Sequence, residues 1–407
     1  MVGIGLLGLG TVGTGVVEIL EERQEELKFL IGEEIKIKKI LVKNIDKKRE
    51  IQLEENIITS DYNEILNCED ISIIVELTGD LDQGYKYIKD ALNSGKDVVT
   101  ANKAVVSKHF EELSSLAAEK DLAFLYEASV GGGIPILKRL KGELILNKIT
   151  EVQGILNGTC NYILSSMFNK GLDYNEALKI AQDMGYAEAD PTADVEGYDT
   201  LRKLRILGTL ALQGKIDESD ILLEGISKIT PFDIEQIKSI DFTIKLIGEV
   251  KELEDGFIAV VQPTIMKESS YFANVDMAFN SIVFLGNNVG ELKFSGLGAG
   301  KLPTANAVLA DIVDIVEDTY RKGNPLGERK LNNLNEKLKA EYYLRISLPE
   351  EQEGKVFKAI KNISKKLLSE KENIAIITNE IEYLEIIKLL SSLEIDKNNY
   401  FIARIIK

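Results

Sequence analysis

The stretch VGIGLLGLGTVGTGVVEILEER, from Val2 to Arg23, restricts the fold more than any other part of the chain. A short apolar run (Val2 to Leu7) is followed by closely spaced glycines and then by a helical pattern from Val12 to Glu22. Gly8, Gly10 and Gly13 satisfy G-x-G-x-x-G. A turn that merely needs small residues would also use them, but here they stand directly between a predicted strand and a predicted helix, the setting in which this motif holds a dinucleotide. Gly8 then serves the tight turn, Gly10 the approach of backbone to a pyrophosphate, and Gly13 the close packing of helix on strand. The helix N-terminus would then turn its unpaired N–H groups toward the phosphates, with Thr11 and Val12 as further cofactor-contacting candidates.

Further apolar strands are predicted at Glu34 to Val42, Ile71 to Leu77, Asp97 to Thr100 and Leu122 to Tyr126, with a helix at Tyr85 to Ser94. Strands alternating with helices predict an α/β fold on a parallel, doubly wound sheet. Ligands of such sheets lie beyond the carboxyl ends of the strands, which places Thr78 and Lys103 near a nicotinamide. The second strand ends on Lys43-Asn44, where an acid would favour NAD, and Lys47, Lys48 and Arg49 follow. A basic strand end suits a 2′-phosphate, so NADP(H) is the expected cofactor and NADH the alternative. The other reading of these lysines is an ordinary solvated charge run, with Asp46 among them.

Composition excludes several function classes. The 407 residues carry a net charge of -17, against the basic face that nucleic acid or an anionic membrane requires. Cys68 and Cys160 are too few for a disulfide framework, and the single histidine, His109, leaves little for a zinc-dependent dehydrogenase. His109 is expected at a helix start in a structural or solvated role. No apolar run is long enough to span a bilayer and no signal peptide is recognised, so a cytoplasmic protein is expected.

The acid-rich segment GYAEADPTADVEGYDTLRK, Gly185 to Lys203, is the candidate chemical centre. Up to Thr200 it reads as a loop, broken by Gly185, Pro191 and Gly197; from about Asp199 the pattern LRKLRILGTLAL is helical. Asp199 and Lys203 then lie one turn apart on one face. Such a pair is often only a surface ion pair, but a partly desolvated lysine beside a carboxylate is also a proton donor or acceptor. Three successive glycines in EASVGGGIP, Glu127 to Pro135, suggest a close backbone approach or a turn between domains, and their carbonyls could hold a hard cation. A strand at Ile149 to Leu156 precedes NGTCNYIL, where Asn157 or Thr159 caps a helix.

Taken together, GLGTVG, VVTANKA around Lys103, EASVGGGIP, GILNGTCNYIL, GYAEADPTADVEGYDTLRK and FSGLGAGKLPTANAVLADI resemble homoserine dehydrogenase, in family order from Val2 to about Asp314. The resemblance implies NAD(P)-dependent interconversion of L-homoserine and L-aspartate 4-semialdehyde. It assigns Lys203 as acid/base lysine with Asp199 beside it, Glu188 as the substrate-contacting glutamate, and Lys103 at cofactor and substrate. Gly185, Gly300 and Thr78 fall at cofactor positions. Glu127, Val130, Gly132 and Ile134 fall at a structural monovalent-cation site, expected to hold sodium mostly through backbone oxygen. Cys160 stands where threonine is common. The residues themselves leave Lys203 and Lys103 both open as the proton donor.

The expected organisation is a Rossmann-type domain (1–135, completed by a return segment near 295–320) and a mixed α/β substrate and dimerisation domain (136–320). A linker (321–340) and an ACT-like α+β module (341–407) complete it. In the last, a helix is predicted at Gly354 to Leu368 and one strand is missing or short. The PEEQEG turn, Pro349 to Gly354, departs from an effector-binding turn, so feedback regulation is no better supported than a structural role. A homodimer or tetramer is expected. Two other functions fit the same motifs: a different NADP-dependent reductase on this fold, or a non-catalytic NADP-binding amino-acid sensor.

Overall fold

The computed structural model describes residues 1–406 apart from Glu50, Glu55, Arg321, Pro349, Lys371 and Glu372, and apart from the side chains of residues 350–353. It divides into two units: Met1–Thr150 with Arg205–Glu218 and Leu285–Lys330, and Glu151–Leu204 with Ser219–Phe284 and Leu331–Lys407.

In the first unit, the chain runs β1 (Val2–Leu7), α1 (Thr11–Ile31), β2 (Ile35–Leu41), β3 (Ile58–Thr59), α2 (Tyr62–Leu66) and β4 (Ile73–Glu76). It continues through α3 (Leu81–Asn93), β5 (Asp97–Thr100), α4 (Lys103–Glu119), β6 (Phe124–Leu125) and α5 (Ile136–Glu143). The strands pair in parallel in the order β3-β2-β1-β4-β5-β6. This is the Rossmann-like arrangement, and the strand order reverses between β1 and β4, where such sheets take their ligand. Ile4, Leu6, Ile73 and Val75 are fully buried, as strands covered on both faces require. A return helix, Lys301–Val316, packs Ala305, Val308, Leu309 and Ile312 into the same core as Val16, Val17 and Leu20 of α1.

Two local expectations are corrected. Helix α3 starts at Leu81 rather than Tyr85, because the Asp80 side chain accepts from Gln83 N at 2.9 Å and caps it. His109 is not a helix start: it lies inside α4 at a kink (φ −119°, ψ 26°), stacked on Tyr85 with ring centroids 3.9 Å apart.

The second unit opens with most of β7 (Ile149–Ile155), then α6 (Gly158–Lys170), α7 (Tyr174–Asp183), α8 (Thr192–Val195) and the first turns of α9 (Tyr198–Leu212). The segment before Thr200, predicted as loop, therefore holds a short helix, with Pro191 as its N-cap rather than as a breaker. The strands Phe242–Leu253 and Gly256–Lys267 form a long antiparallel hairpin. Gly154 of β7 sits opposite Gly248 of that hairpin. A Cβ on Gly248 would lie 3.2 Å from Thr200 and 3.4 Å from Leu204 of α9, so the glycine lets α9 lie close on the sheet.

The C-terminal part runs strand Lys339–Ser347, helix Glu350–Ile360, strands Ser364–Ser369 and Asn373–Thr378, helix Tyr383–Ser392 and strand Tyr400–Ile405. The predicted helix to Leu368 is thus corrected: it ends at Ile360, and Ser364–Ser369 pairs antiparallel with Asn373–Thr378. The strand expected to be missing or short is therefore present among the described residues, as Ser364–Ser369. Pro349 and the side chains of residues 350–353, most of the acid-rich turn, lie outside the described residues. Thr264 and Ile265 pair in parallel with Arg404 and Ile405, so the C-terminal strands continue the sheet of the hairpin. Among the described residues no helix is long and apolar enough to cross a membrane.

Candidate active site

At the reversal of the first sheet, the three motif glycines divide their work. Gly8 leaves β1 at φ 104°, and a Cβ there would come within 2.9 Å of the Leu77 carbonyl oxygen. On Gly13 a Cβ would stand 2.2 Å from Gly8 O. At Gly10, the N-cap of α1, a Cβ would meet nothing within 4 Å. Two glycines therefore make the turn, while the third faces open space at the N-terminus of α1, whose first N–H groups, on Thr11, Val12 and Gly13, have no partner within the helix.

The cleft above is lined by Gly8, Gly10, Lys43, Lys47, Arg49 and Thr78, among others. The Arg49 guanidinium donates to the carbonyl oxygens of Asn44 and Lys47, each at 2.7 Å, which fixes the basic loop on itself. Thr78 donates N–H at 2.8 Å and O–H at 2.5 Å to Glu76 Oε1, and Thr100 Oγ1 donates to Glu76 Oε2 at 2.7 Å. Glu76 is fully buried at the end of β4. Its signal in the sequence is a lone acid inside the apolar run ISIIVEL. Lys103 is half-buried at the start of α4, where Asn102 Oδ1 accepts from Val105 N at 3.3 Å. Gly300, at φ 135°, precedes the return helix. All these residues belong to the first unit; Gly185, at φ 76° just after α7, belongs to the second.

In the second unit the expected pair forms, and it is buried. Lys203 Nζ lies 2.7 Å from Asp199 Oδ2 and donates to the Leu156 carbonyl at 2.8 Å. Lys203 is 8% exposed and Asp199 2%, far from the surface ion pair that the spacing alone would suggest. Asn157 caps α6 by accepting from Cys160 N at 2.7 Å. Its Nδ2 donates to Asp194 Oδ1 at 2.7 Å and to Asp199 Oδ2 at 2.8 Å. Asn280 Nδ2 donates to the same Leu156 carbonyl at 2.9 Å. Cys160 Sγ donates to Asp194 O at 3.1 Å; burial first, then the nearby Asp194 and Asp199 carboxylates, push its thiol pKa well up and keep it protonated.

Glu188 stands outside this hydrogen-bonded cluster, exposed on the neighbouring turn. That turn is seated by Thr159 Oγ1 donating to Tyr186 O at 2.6 Å and by Gln182 Nε2 donating to Glu188 O at 3.1 Å. Carboxylates around a buried ammonium, next to a polar turn at a helix start, can bind an amine and move a proton.

The triple-glycine segment, in the first unit, meets the return segment. A Cβ on Gly132 would fall 2.4 Å from Gly298 backbone, and Gly133 N donates to Leu297 O at 3.1 Å. Glu127 is buried; its carboxylate accepts from Leu137 N at 2.8 Å and Lys138 N at 2.7 Å, while its own N–H donates to Asp311 Oδ2 at 2.8 Å. Burial, the largest cause for both, pushes the Glu127 and Asp311 carboxyls above their ordinary range, and Asp311 is raised further by Glu127. Among the described residues no group of three His, Cys, Asp or Glu side chains could hold a metal. Any cation at Glu127, Val130, Gly132 and Ile134 would rest on backbone oxygen and this one carboxylate, a donor set that fits a hard, singly charged ion.

A family model described as homoserine dehydrogenase matches residues 135–313, and one described as the NAD binding domain of homoserine dehydrogenase matches residues 8–127. The homoserine dehydrogenase of Bacillus subtilis (strain 168) is 37% identical over 413 residues, covering 96% of this chain and 95% of that protein. That of Helicobacter pylori is 40% identical over 353 residues, covering 86% and 82%. The crystal structure of a homoserine dehydrogenase from Thiobacillus denitrificans superposes with a TM-score of 0.90 at 33% identity, covering 100% of this chain and 98% of that one. A Staphylococcus aureus homoserine dehydrogenase at pH 7.5 gives 0.79 at 32% identity, covering 100% and 98%. With both halves matched and the whole length spanned, the chain belongs to the homoserine dehydrogenase family.

Proposed function

We propose that this homoserine dehydrogenase reduces L-aspartate 4-semialdehyde to L-homoserine, and the reverse, with Lys203 as its acid–base group and NADPH as its preferred cofactor. The reaction serves threonine and methionine biosynthesis. When bound, the nicotinamide supplies or accepts the hydride. Lys203 gives a proton to the oxygen that gains charge on reduction and takes it back on oxidation. Asp199 holds the ammonium in place, with the Leu156 carbonyl as its second anchor. Glu188, an exposed carboxylate on a turn seated at the start of α6, receives the substrate ammonium together with Asp199. Lys103 assists at the cofactor and substrate end.

The observation that carries this reading is the burial of Lys203 and Asp199 in one hydrogen-bonded cluster, since an ion pair this dry is costly to maintain for stability alone. Lys43, Lys47 and Arg49 beside Gly8 and Gly10 support NADPH over NADH. Thr11, Val12, Gly13 and Thr78 would contact the dinucleotide, with Gly185 and Gly300 as further contacts. The oxygen donors of the Glu127–Ile134 turn support a structural sodium. The strand–helix–strand–strand–helix–strand order at the C-terminus supports an ACT-like module. Exposed Leu285 and Val289 of the first unit support association into a dimer or tetramer.

The test follows NADPH absorbance with aspartate semialdehyde. Lys203→Ala should lower kcat by about 10²–10⁴-fold, the usual contribution of a positioned acid or base, and leave NADPH affinity within about twofold. Wild-type kcat in this variant would remove Lys203 from the mechanism.

A further inference from the structure

Asn157 does more than cap a helix. Its Oδ1 is committed to Cys160 N, which fixes the amide with Nδ2 toward the acids. The two Nδ2 protons go to Asp194 Oδ1 and Asp199 Oδ2, one to each. The residue is 5% exposed, and its neighbour Leu156 supplies the carbonyl that accepts a hydrogen bond from Lys203 Nζ. One dipeptide, Leu156–Asn157, thereby holds both members of the Lys203–Asp199 pair, Lys203 through a backbone acceptor and Asp199 through a side-chain donor. Asn157 also places a donor between two carboxylates that would otherwise repel at short range in a poorly solvated site.

We propose that Asn157 is a positioning residue for the reaction: by donating to Asp194 and Asp199 together, it holds Asp199 where it orients the Lys203 ammonium. The inference rests on Lys203 being the acid–base group. Aspartate or serine at this position can still accept from Cys160 N and cap α6, but neither carries a two-proton donor. The cap and the bridge can therefore be separated.

The experiment compares Asn157→Ser and Asn157→Asp with Lys203→Ala and wild type, reading melting temperature, NADPH affinity and the pH dependence of kcat. Asn157→Ser should keep NADPH affinity within about twofold and lose roughly 10²-fold in kcat, the scale of a displaced reacting group. Asn157→Asp should be as poor near neutral pH and recover as pH falls, when the new carboxyl gains a proton that it can donate to one neighbour. Wild-type kcat and pH profile in both variants would overturn the proposal. So would a parallel fall of kcat, NADPH affinity and melting temperature without low-pH recovery, which would make Asn157 a structural cap alone. A normal kcat in Lys203→Ala would instead sink the acid–base assignment on which the inference stands.

Discussion

Among single residues, the buried Glu127 and Asp311 carboxyls bear on how the stability of the first unit depends on pH. Burial, together with Glu127, raises the Asp311 pKa in the folded chain, whereas the unfolded chain keeps the ordinary value near 4. The folded state therefore binds this proton more tightly. The stability so contributed is complete below the ordinary carboxylate pKa and is lost as pH rises through the folded value. Asp311→Asn keeps an oxygen for the Glu127 N–H and removes the ionisation. Its melting temperature should fall less than that of wild type between pH 5 and pH 8, with tetramethylammonium as the only added monovalent cation. Equal slopes would mean that Asp311 does not titrate against folding in this range. At this scale the sequence was legible where partners are local: Asp199 and Lys203 stand four residues apart, and the α6 cap, Asn157, is three residues from its donor, Cys160 N. The Asn157 bridge spans 37 and 42 residues, and no local pattern announces a contact made only after the chain has folded.

At the level of elements, the glycine turn separates what folding needs from what binding needs. A methyl group on Gly13 would collide with the backbone oxygen of Gly8, and backbone cannot move aside without reshaping the turn. A methyl group on Gly10 would point into open space. Gly13→Ala should thus cost about 1–3 kcal/mol of stability, as overpacking does, along with NADPH affinity. Gly10→Ala should keep the wild-type melting temperature within a few degrees and weaken NADPH about tenfold or more, because the methyl occupies the space over the α1 N–H groups. Thermal melts and cofactor titration of the two variants decide the matter; equal melting temperatures would refute the division of roles. The strand–glycine–helix signal was readable because all of its parts are contiguous. Ser364–Ser369 was not: Leu367 and Leu368 after Ile363 fit a helical face, and only antiparallel pairing with Asn373–Thr378 makes the segment a strand.

Across the molecule, the C-terminal strands are part of the second unit's sheet and are tied to it by buried charge. Asp233, with no exposure, accepts at Oδ1 from Arg345 Nε and Tyr343 O–H, both at 2.8 Å, and at Oδ2 from Thr230. Arg404 pairs with Glu249 in the same unit, and Tyr383 O–H donates to Glu224 at 2.6 Å. Burial first, then the Asp233 carboxylate, holds the Tyr343 hydroxyl protonated far above its ordinary pKa, so this network keeps its donors at any working pH. A module hung on a flexible joint would not share strand pairing and buried ion pairs with its neighbour. Removing one partner of a buried pair leaves an uncompensated charge and costs about 3–5 kcal/mol. Arg345→Ala should therefore reduce amide-exchange protection by a similar amount in Tyr400–Ile405 and in Gly256–Lys267, because the two strands open together. Loss confined to Tyr400–Ile405 would show instead that the C-terminal part unfolds by itself, and that any signal it receives has to reach the Lys203 cluster by some route other than the shared sheet.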